Sequence, residues 1–131
     1  MAAALETLSL VRNTDYLERI TALGDRLRLG LHARASGAGF SLRQTGPVTM
    51  PLFLFDEDPD LRKGFCFSSA MLERGVYVHP WHNMFLCAAM TDADIEDTLN
   101  AAEGALGALK RQSPTLQPVP KLAFLTTGGT R

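Results

Sequence analysis

The chain has 131 residues, with 13 Lys+Arg against 14 Asp+Glu, a formal net charge of −1 and an isoelectric point near 6.3. Near-neutral charge lacks the basic face of a nucleic-acid binder, and no apolar run is long enough to span a bilayer. An apolar content of 46% fits one globular domain with a real core, and two cysteines in apolar stretches are too few for a disulfide framework. Met1–Val11 has no basic flank ahead of its apolar part and so does not read as a signal peptide. A cytoplasmic location, with no nucleic-acid and no membrane partner, is the expectation.

Residues 1 to about 34 carry a helical pattern with one interruption. Ala4, Leu5, Leu8 and Val11 share a face, and Asn13-Thr14-Asp15 marks a break or a new cap. Leu17, Ile20, Leu23 or Gly24, Leu27 and Leu31 then recur at helical spacing, until Ser36-Gly37-Ala38-Gly39 supplies a glycine for a left-handed cap. The opening Met1-Ala2-Ala3-Ala4-Leu5 is already helical in pattern and has no residue ahead to cap it. It reads as a helix cut in its middle.

Phe40–Gln44 alternates with period two and reads as a half-buried strand, Thr45-Gly46-Pro47 as a turn, and Met50–Phe55 as a buried strand with Pro51 at its start or on an edge. After the acidic stretch Asp56–Asp60, Asp58-Pro59 reads as the cap and first residue of a second helix, with core face Leu61, Phe65, Ser68 and Leu72 and an end at Arg74-Gly75. Val76–Val78 and Met84–Ala89 read as two further short strands around the loop His79-Pro80-Trp81-His82-Asn83. Thr91-Asp92-Ala93-Asp94 resembles a capping box, and Ile95, Leu99, Ala102, Leu106 and Leu109 form the apolar stripe of the helix it opens. The segment from Gln112 on, with Pro114, Pro118 and Pro120, reads as an extended or disordered tail. The order predicts an α+β fold: a small antiparallel or mixed sheet with helices packed on one side, preceded by a long N-terminal helix.

Few residues point to chemistry. His79-x-x-His82 could chelate a metal with Cys66 or Cys87 as a further ligand, but no Cys or carboxylate flanks the pair, and zinc needs three or four ligands. One aromatic and several polar groups crowded into His79–Asn83 suit a substrate-facing loop better than a plain connector. Asp56–Asp60 starts like a calcium loop, yet Leu61 and Phe67 stand where its Gly and bidentate Glu belong. Cys87, within Met84–Ala89, reads as a buried and inert thiol. Lys63, Lys110 and Lys121 lie in amphipathic or tail positions, none in an apolar setting that would activate an amine.

Four stretches together carry a resemblance. They are Ala2–Leu8, Gln44-Thr45-Gly46-Pro47 before a Phe-rich strand, Leu72-Glu73-Arg74-Gly75-Val76-Tyr77, and Thr91-Asp92-Ala93-Asp94-Ile95. From Ala2 to about Leu109 the chain resembles the C-terminal part of class III aminotransferases, the fold-type I enzymes that use pyridoxal phosphate, nearest the glutamate-1-semialdehyde aminomutase-like members. Such enzymes run to about three times this length, with a large cofactor domain ahead of a small one.

The resemblance implies that residues 1–12 end an inter-domain linking helix, 13–111 form the small domain and 112–131 a tail. It implies amino-group transfer between an amino donor and an oxo acid or aldehyde, in a homodimeric enzyme. The cofactor, and the lysine that holds it, would lie in the missing large domain, on the same or a separate chain. The isolated chain would then hold no pyridoxal phosphate, offer no catalytic residue and be inactive. His79, Trp81, His82 and Asn83 are the expected substrate contacts, with Gln44 and Gly46 bordering the same mouth. Met84–Ala89 lacks an Arg for a substrate carboxylate, and Met90 stands where many relatives have His, which favours a related transamination over aminomutase activity. The alternatives are a non-catalytic binding or assembly module that kept the fold, and a His79/His82 metal protein.

Overall fold

A computed structural model describes residues 2–118, in an α+β arrangement of four helices and one antiparallel hairpin. Helix α1 (Ala2–Asn13) and helix α2 (Tyr16–Ala38) meet at the expected break. Thr14 makes that corner: its hydroxyl donates to the Leu10 carbonyl at 2.6 Å and accepts the Tyr16 N–H at 3.3 Å. Helix α2 buries Ile20, Leu23, Gly24, Leu31 and Ala35, while Leu17 stays exposed. It ends in a Schellman motif, with Gly39 at φ 88° and the Phe40 N–H reaching back to the Ala35 carbonyl at 2.9 Å.

Strands β1 (Leu42–Thr45) and β2 (Leu52–Phe55) pair with Leu42 opposite Phe55 and Gln44 opposite Phe53. Period-two alternation sends Phe53 and Phe55 inward, where both rings meet Phe67 edge-on at 5.8 and 5.4 Å. Helix α3 (Arg62–Leu72) supplies Phe67, Ala70 and Met71 to the core and ends as expected at Gly75, a second Schellman motif with the Val76 N–H on the Met71 carbonyl. Helix α4 (Asp92–Gln112) packs against both α2 and α3, and a single turn, Ser113–Thr115, follows it. Its whole expected stripe is buried, each Leu or Ile contributing about 1.5–3 kcal/mol through removal from water. The tail expected from Gln112 starts later: Gln112 still belongs to α4, Ser113–Thr115 form the turn and Leu116 packs against the core, while residues 119–131 lie outside the described residues.

Four expectations need correction. Val76–Val78 and Met84–Ala89 are not strands: the first has no ladder partner among the described residues, and the second stays beside the hairpin only through Met84 N–H on Pro51 and Leu86 N–H on Thr49. The chain then turns, the Met90 N–H reaching the Cys87 carbonyl at 3.1 Å, so Cys87 is exposed rather than buried. Helix α3 starts at Arg62, not at Pro59, because Leu61 closes a turn onto the Asp58 carbonyl in the left-handed region, φ 60°. Its buried face is Gly64, Phe67, Ala70 and Met71 rather than Leu61, Phe65, Ser68 and Leu72. Both rows have helical spacing, and the Phe67 contact with the hairpin selects between them.

The capping box of α4 is complete. Thr91 Oγ1 accepts the Asp94 N–H at 3.3 Å, and Asp94 Oδ2 accepts the Thr91 N–H at 2.7 Å and its hydroxyl at 2.7 Å. The Thr91 hydroxyl, then its N–H, holds the Asp94 carboxyl below the usual carboxylate range. A lowered folded-state pKa gives stability that is present above the ordinary value of about 3.9 and is lost as pH falls through the lowered one. Thr91→Ala is therefore expected to melt at a lower temperature than the parent at neutral pH, with the gap narrowing below about pH 4. Thermal melts of both proteins across that range check it.

Candidate functional site

The loop between Val78 and Met84 is built on the N-terminal turn of α3. Asp58, 8% exposed, is the one charged residue buried among the described residues. Its two carboxylate oxygens accept the Lys63 and Gly64 N–H groups, each at 2.9 Å. These are helix-start donors with no partner inside the helix, so Asp58 caps α3 from five and six residues upstream. Glu57 and Leu61 on either side both have positive φ, 54° and 60°. Such non-glycine conformations cost about 1–3 kcal/mol each and persist only where the surroundings fix them.

On that turn the loop side chains assemble. The Trp81 ring lies 5.2 Å from Phe65 and 4.4 Å from His79, and His79 lies 5.7 Å from His82, centroid to centroid. The backbone N–H of Trp81 donates to His79 Nδ1 at 3.3 Å, so the neutral His79 ring carries its proton on Nε2. His82 Nδ1 is 2.9 Å from the Asn83 carbonyl, which only accepts, so Nδ1 carries the proton and Nε2 is left as an acceptor. In their neutral forms the two imidazoles, which meet edge-on, thus offer one donor and one acceptor to a small polar molecule. The flanks of the loop, with exposed Tyr77 and Phe85, line an apolar cavity of about 130 Å³ above Phe53 and Ile95.

Of the six expected site residues, His79, Trp81 and His82 come together and Asn83 joins them through its carbonyl. Gln44 and Gly46 are held elsewhere, against α2. Gln44 Nε2 donates to the Arg28 carbonyl at 2.8 Å, and Arg28 Nη2 donates to the Gly46 carbonyl at 2.6 Å. Gly46 sits at φ 80°, and a Cβ there would lie 2.9 Å from the Met50 carbonyl oxygen. The two groups connect through Thr49 and Pro51, whose carbonyls hold the far flank of the loop. Asp58, Gly64 and Phe65 were not legible as site residues. Asp58-Pro59 carried a helix-cap signal, but its target lay on the wrong residues.

No group of three or more metal-ligating side chains occurs among the described residues, so His79 and His82 have no third ligand there. Cys66 is half-buried, 3.7 Å from Gln112 Oε1, and burial followed by the Glu73 charge pushes its thiol up, away from thiolate reactivity. Lys63 is half-buried with its Nζ on the Asp56 carbonyl at 3.0 Å and Lys110 is exposed on α4, while Lys121 lies outside the described residues. A pyridoxal phosphate needs an enclosed lysine and a phosphate cradle, and these donors do not fit one.

In both sequence and structure the chain matches a part of pyridoxal-phosphate aminotransferases. The chain is 50% identical over 125 residues to aminopentol aminotransferase of Sphingopyxis macrogoltabida, covering 95% of this chain and 30% of that one. It is 34% identical over 121 residues to glutamate-1-semialdehyde 2,1-aminomutase of Desulfitobacterium hafniense strain Y51, covering 83% of this chain and 28% of that one. The FumI protein of Sphingopyxis sp. MTA144, solved in its PLP internal aldimine form, superposes with a TM-score of 0.90 at 50% identity, over 92% of this chain and 29% of that one. An omega-transaminase from Sphaerobacter thermophilus shares the fold at TM-score 0.61 and 20% identity, over 71% of this chain and 24% of that one. The chain thus spans less than a third of the length of the relatives it matches. No family model matches it, and among the described residues no helix is long and apolar enough to cross a membrane.

Proposed function

We propose that the chain forms the C-terminal small domain of a class III aminotransferase that moves an amino group between an amine donor and an oxo acid or aldehyde. The observation that carries this is a 50% identity and a TM-score of 0.90 to a protein solved with pyridoxal phosphate, over 29% of that protein. In this reading residues 1–12 end a helix linking two domains, residues 13–111 are the small domain, residues 112–131 are a tail, and a cofactor domain on the same or a separate chain supplies the lysine. The assembled enzyme is a cytoplasmic homodimer. The loop His79, Trp81, His82 and Asn83 contacts the small amino or oxo substrate, the donor and acceptor imidazole edges orienting it, and Gln44 and Gly46 border the mouth through the hairpin turn. Closing such a domain over bound cofactor excludes water from the reacting centre.

Steady-state transamination with an amine donor and an oxo acid acceptor tests it, using this chain alone and the same chain joined to or mixed with its cofactor domain, each supplied with pyridoxal phosphate. Activity only in the assembled protein supports the proposal. Turnover by the isolated chain, or by neither, overturns it. In the active protein His82→Ala is expected to raise KM by up to about tenfold, the loss of one hydrogen bond of about 0.5–1.5 kcal/mol. An unchanged KM removes His82 from the substrate contacts.

A further inference from the structure

We propose that Asp58 and Gly64 are positioning residues for the His79–Asn83 loop, and through it for substrate selection. The functional consequence rests on the reading of that loop as substrate-facing, whereas its placement is measurable without any reaction. Asp58 is buried, and each of its two carboxylate oxygens accepts one backbone N–H of the first turn of α3. An isolated buried carboxylate is costly, so the contact persists because those donors and the helix dipole compensate it. The second of these donors belongs to Gly64. A Cβ on Gly64 would lie 3.2 Å from the Pro80 carbonyl oxygen, 3.4 Å from Pro80 Cβ and 3.6 Å from Asp58 Oδ2. Carboxylate, glycine and loop therefore meet at one point. One residue further along each segment, Phe65 receives the Trp81 ring at 5.2 Å, tilted by 57°. The first turn of α3 is the floor of the loop, and Asp58 sets its geometry while Gly64 lets Pro80 settle on it.

Trp81 is the only tryptophan of the chain, so its fluorescence reads the loop alone. Acrylamide quenching of Trp81 is compared in the parent, Asp58→Ala, Asp58→Asn and Gly64→Ala, with Leu109→Ala as a variant destabilised in the core stripe of α4 rather than at the Asp58 and Gly64 contact. All are measured where circular dichroism shows them folded. Quenching is expected to rise about twofold in Asp58→Ala, since a ring 40% exposed can little more than double its accessibility. Asp58→Asn, which keeps one acceptor oxygen, is expected to fall between, and Leu109→Ala to match the parent. Where Asp58→Ala does not fold, Asp58→Asn and Gly64→Ala carry the measurement.

Parent-like quenching in the folded Asp58 and Gly64 variants overturns the proposal, and so does an equal rise in Leu109→Ala. In the assembled enzyme the same Asp58→Asn change should raise KM more than it lowers kcat. Altered Trp81 quenching with unchanged KM upholds the positioning and overturns the substrate role of the loop, which separates the failure of one from the failure of the other.

Discussion

Leu109→Ala is expected to lower the unfolding free energy by about 2–5 kcal/mol, the largest loss for any single change discussed here. Leu109 is wholly buried on the inward stripe of α4, within the one cluster that joins α2, the hairpin and α3. Its neighbours on that stripe include Ala101, Ala102, Ala105 and Ala108, small side chains on a rigid helix that cannot swing into the space left behind. The cost is therefore the lost transfer of the removed methyl groups plus an uncollapsed cavity. Urea denaturation checks it: the midpoint should fall while the slope with denaturant stays that of the parent, since the surface exposed on unfolding is nearly unchanged. A loss well under the low end of that range would mean that α2, the hairpin and α3 do not share one core with α4.

The second large effect is expected at Gly24, where two terms of opposite sign compete. An alanine in a helix interior gains about 1 kcal/mol over glycine. At Gly24, however, the added Cβ would lie 2.4 Å from the Val48 carbonyl oxygen and 2.7 Å from its carbon, so backbone must move by about 1 Å to reach ordinary contact. Overpacking costs about 1–3 kcal/mol, at the upper end where no flexible side chain can yield, so after the helix-propensity gain Gly24→Ala should destabilise by up to about 2 kcal/mol. Gly37 on the same helix has nothing within 4 Å of a built Cβ, and alanine there should instead stabilise by a few tenths to about 1 kcal/mol. Denaturation midpoints that move in opposite directions confirm the distinction. Val48 lies just before Thr49 and Pro51, whose carbonyls hold Leu86 and Met84, so the Gly24 variant should also shift the amide resonances of those two residues.

How much could be read beforehand follows from the range of each interaction. The start and core face of helix α4 were legible because its cap, Thr91 with Asp94, and its stripe from Ile95 to Leu109 are local signals. Gly39 and Gly75 marked two helix ends for the same reason. The strands expected at Val76–Val78 and Met84–Ala89 failed because an apolar run becomes a strand only with a hydrogen-bonded neighbour, which no local pattern specifies. The α3 face was misread because Phe65 and Phe67 both fit a helical row, and only the hairpin rings distinguish them. His79, Trp81 and His82 were visible as a dense polar and aromatic loop, and they do converge. Their separation from Gln44 and Gly46, and the support from Asp58, are tertiary facts with no counterpart in spacing.

Helix α1 has a consequence of another kind. It is 12 residues long, buries no side chain, and leaves Leu5 and Leu8 each 64% exposed. Nucleating a helix is unfavourable, and one shorter than about 12–15 residues is marginal in water without tertiary contacts. The hydrogen bonds of residues 2–13 are thus the least protected in the described structure, open to exchange with solvent far more often than those of α4. Whatever covers Leu5 and Leu8 would supply the free energy that this helix does not make for itself, so its helicity is conditional while that of the core is not.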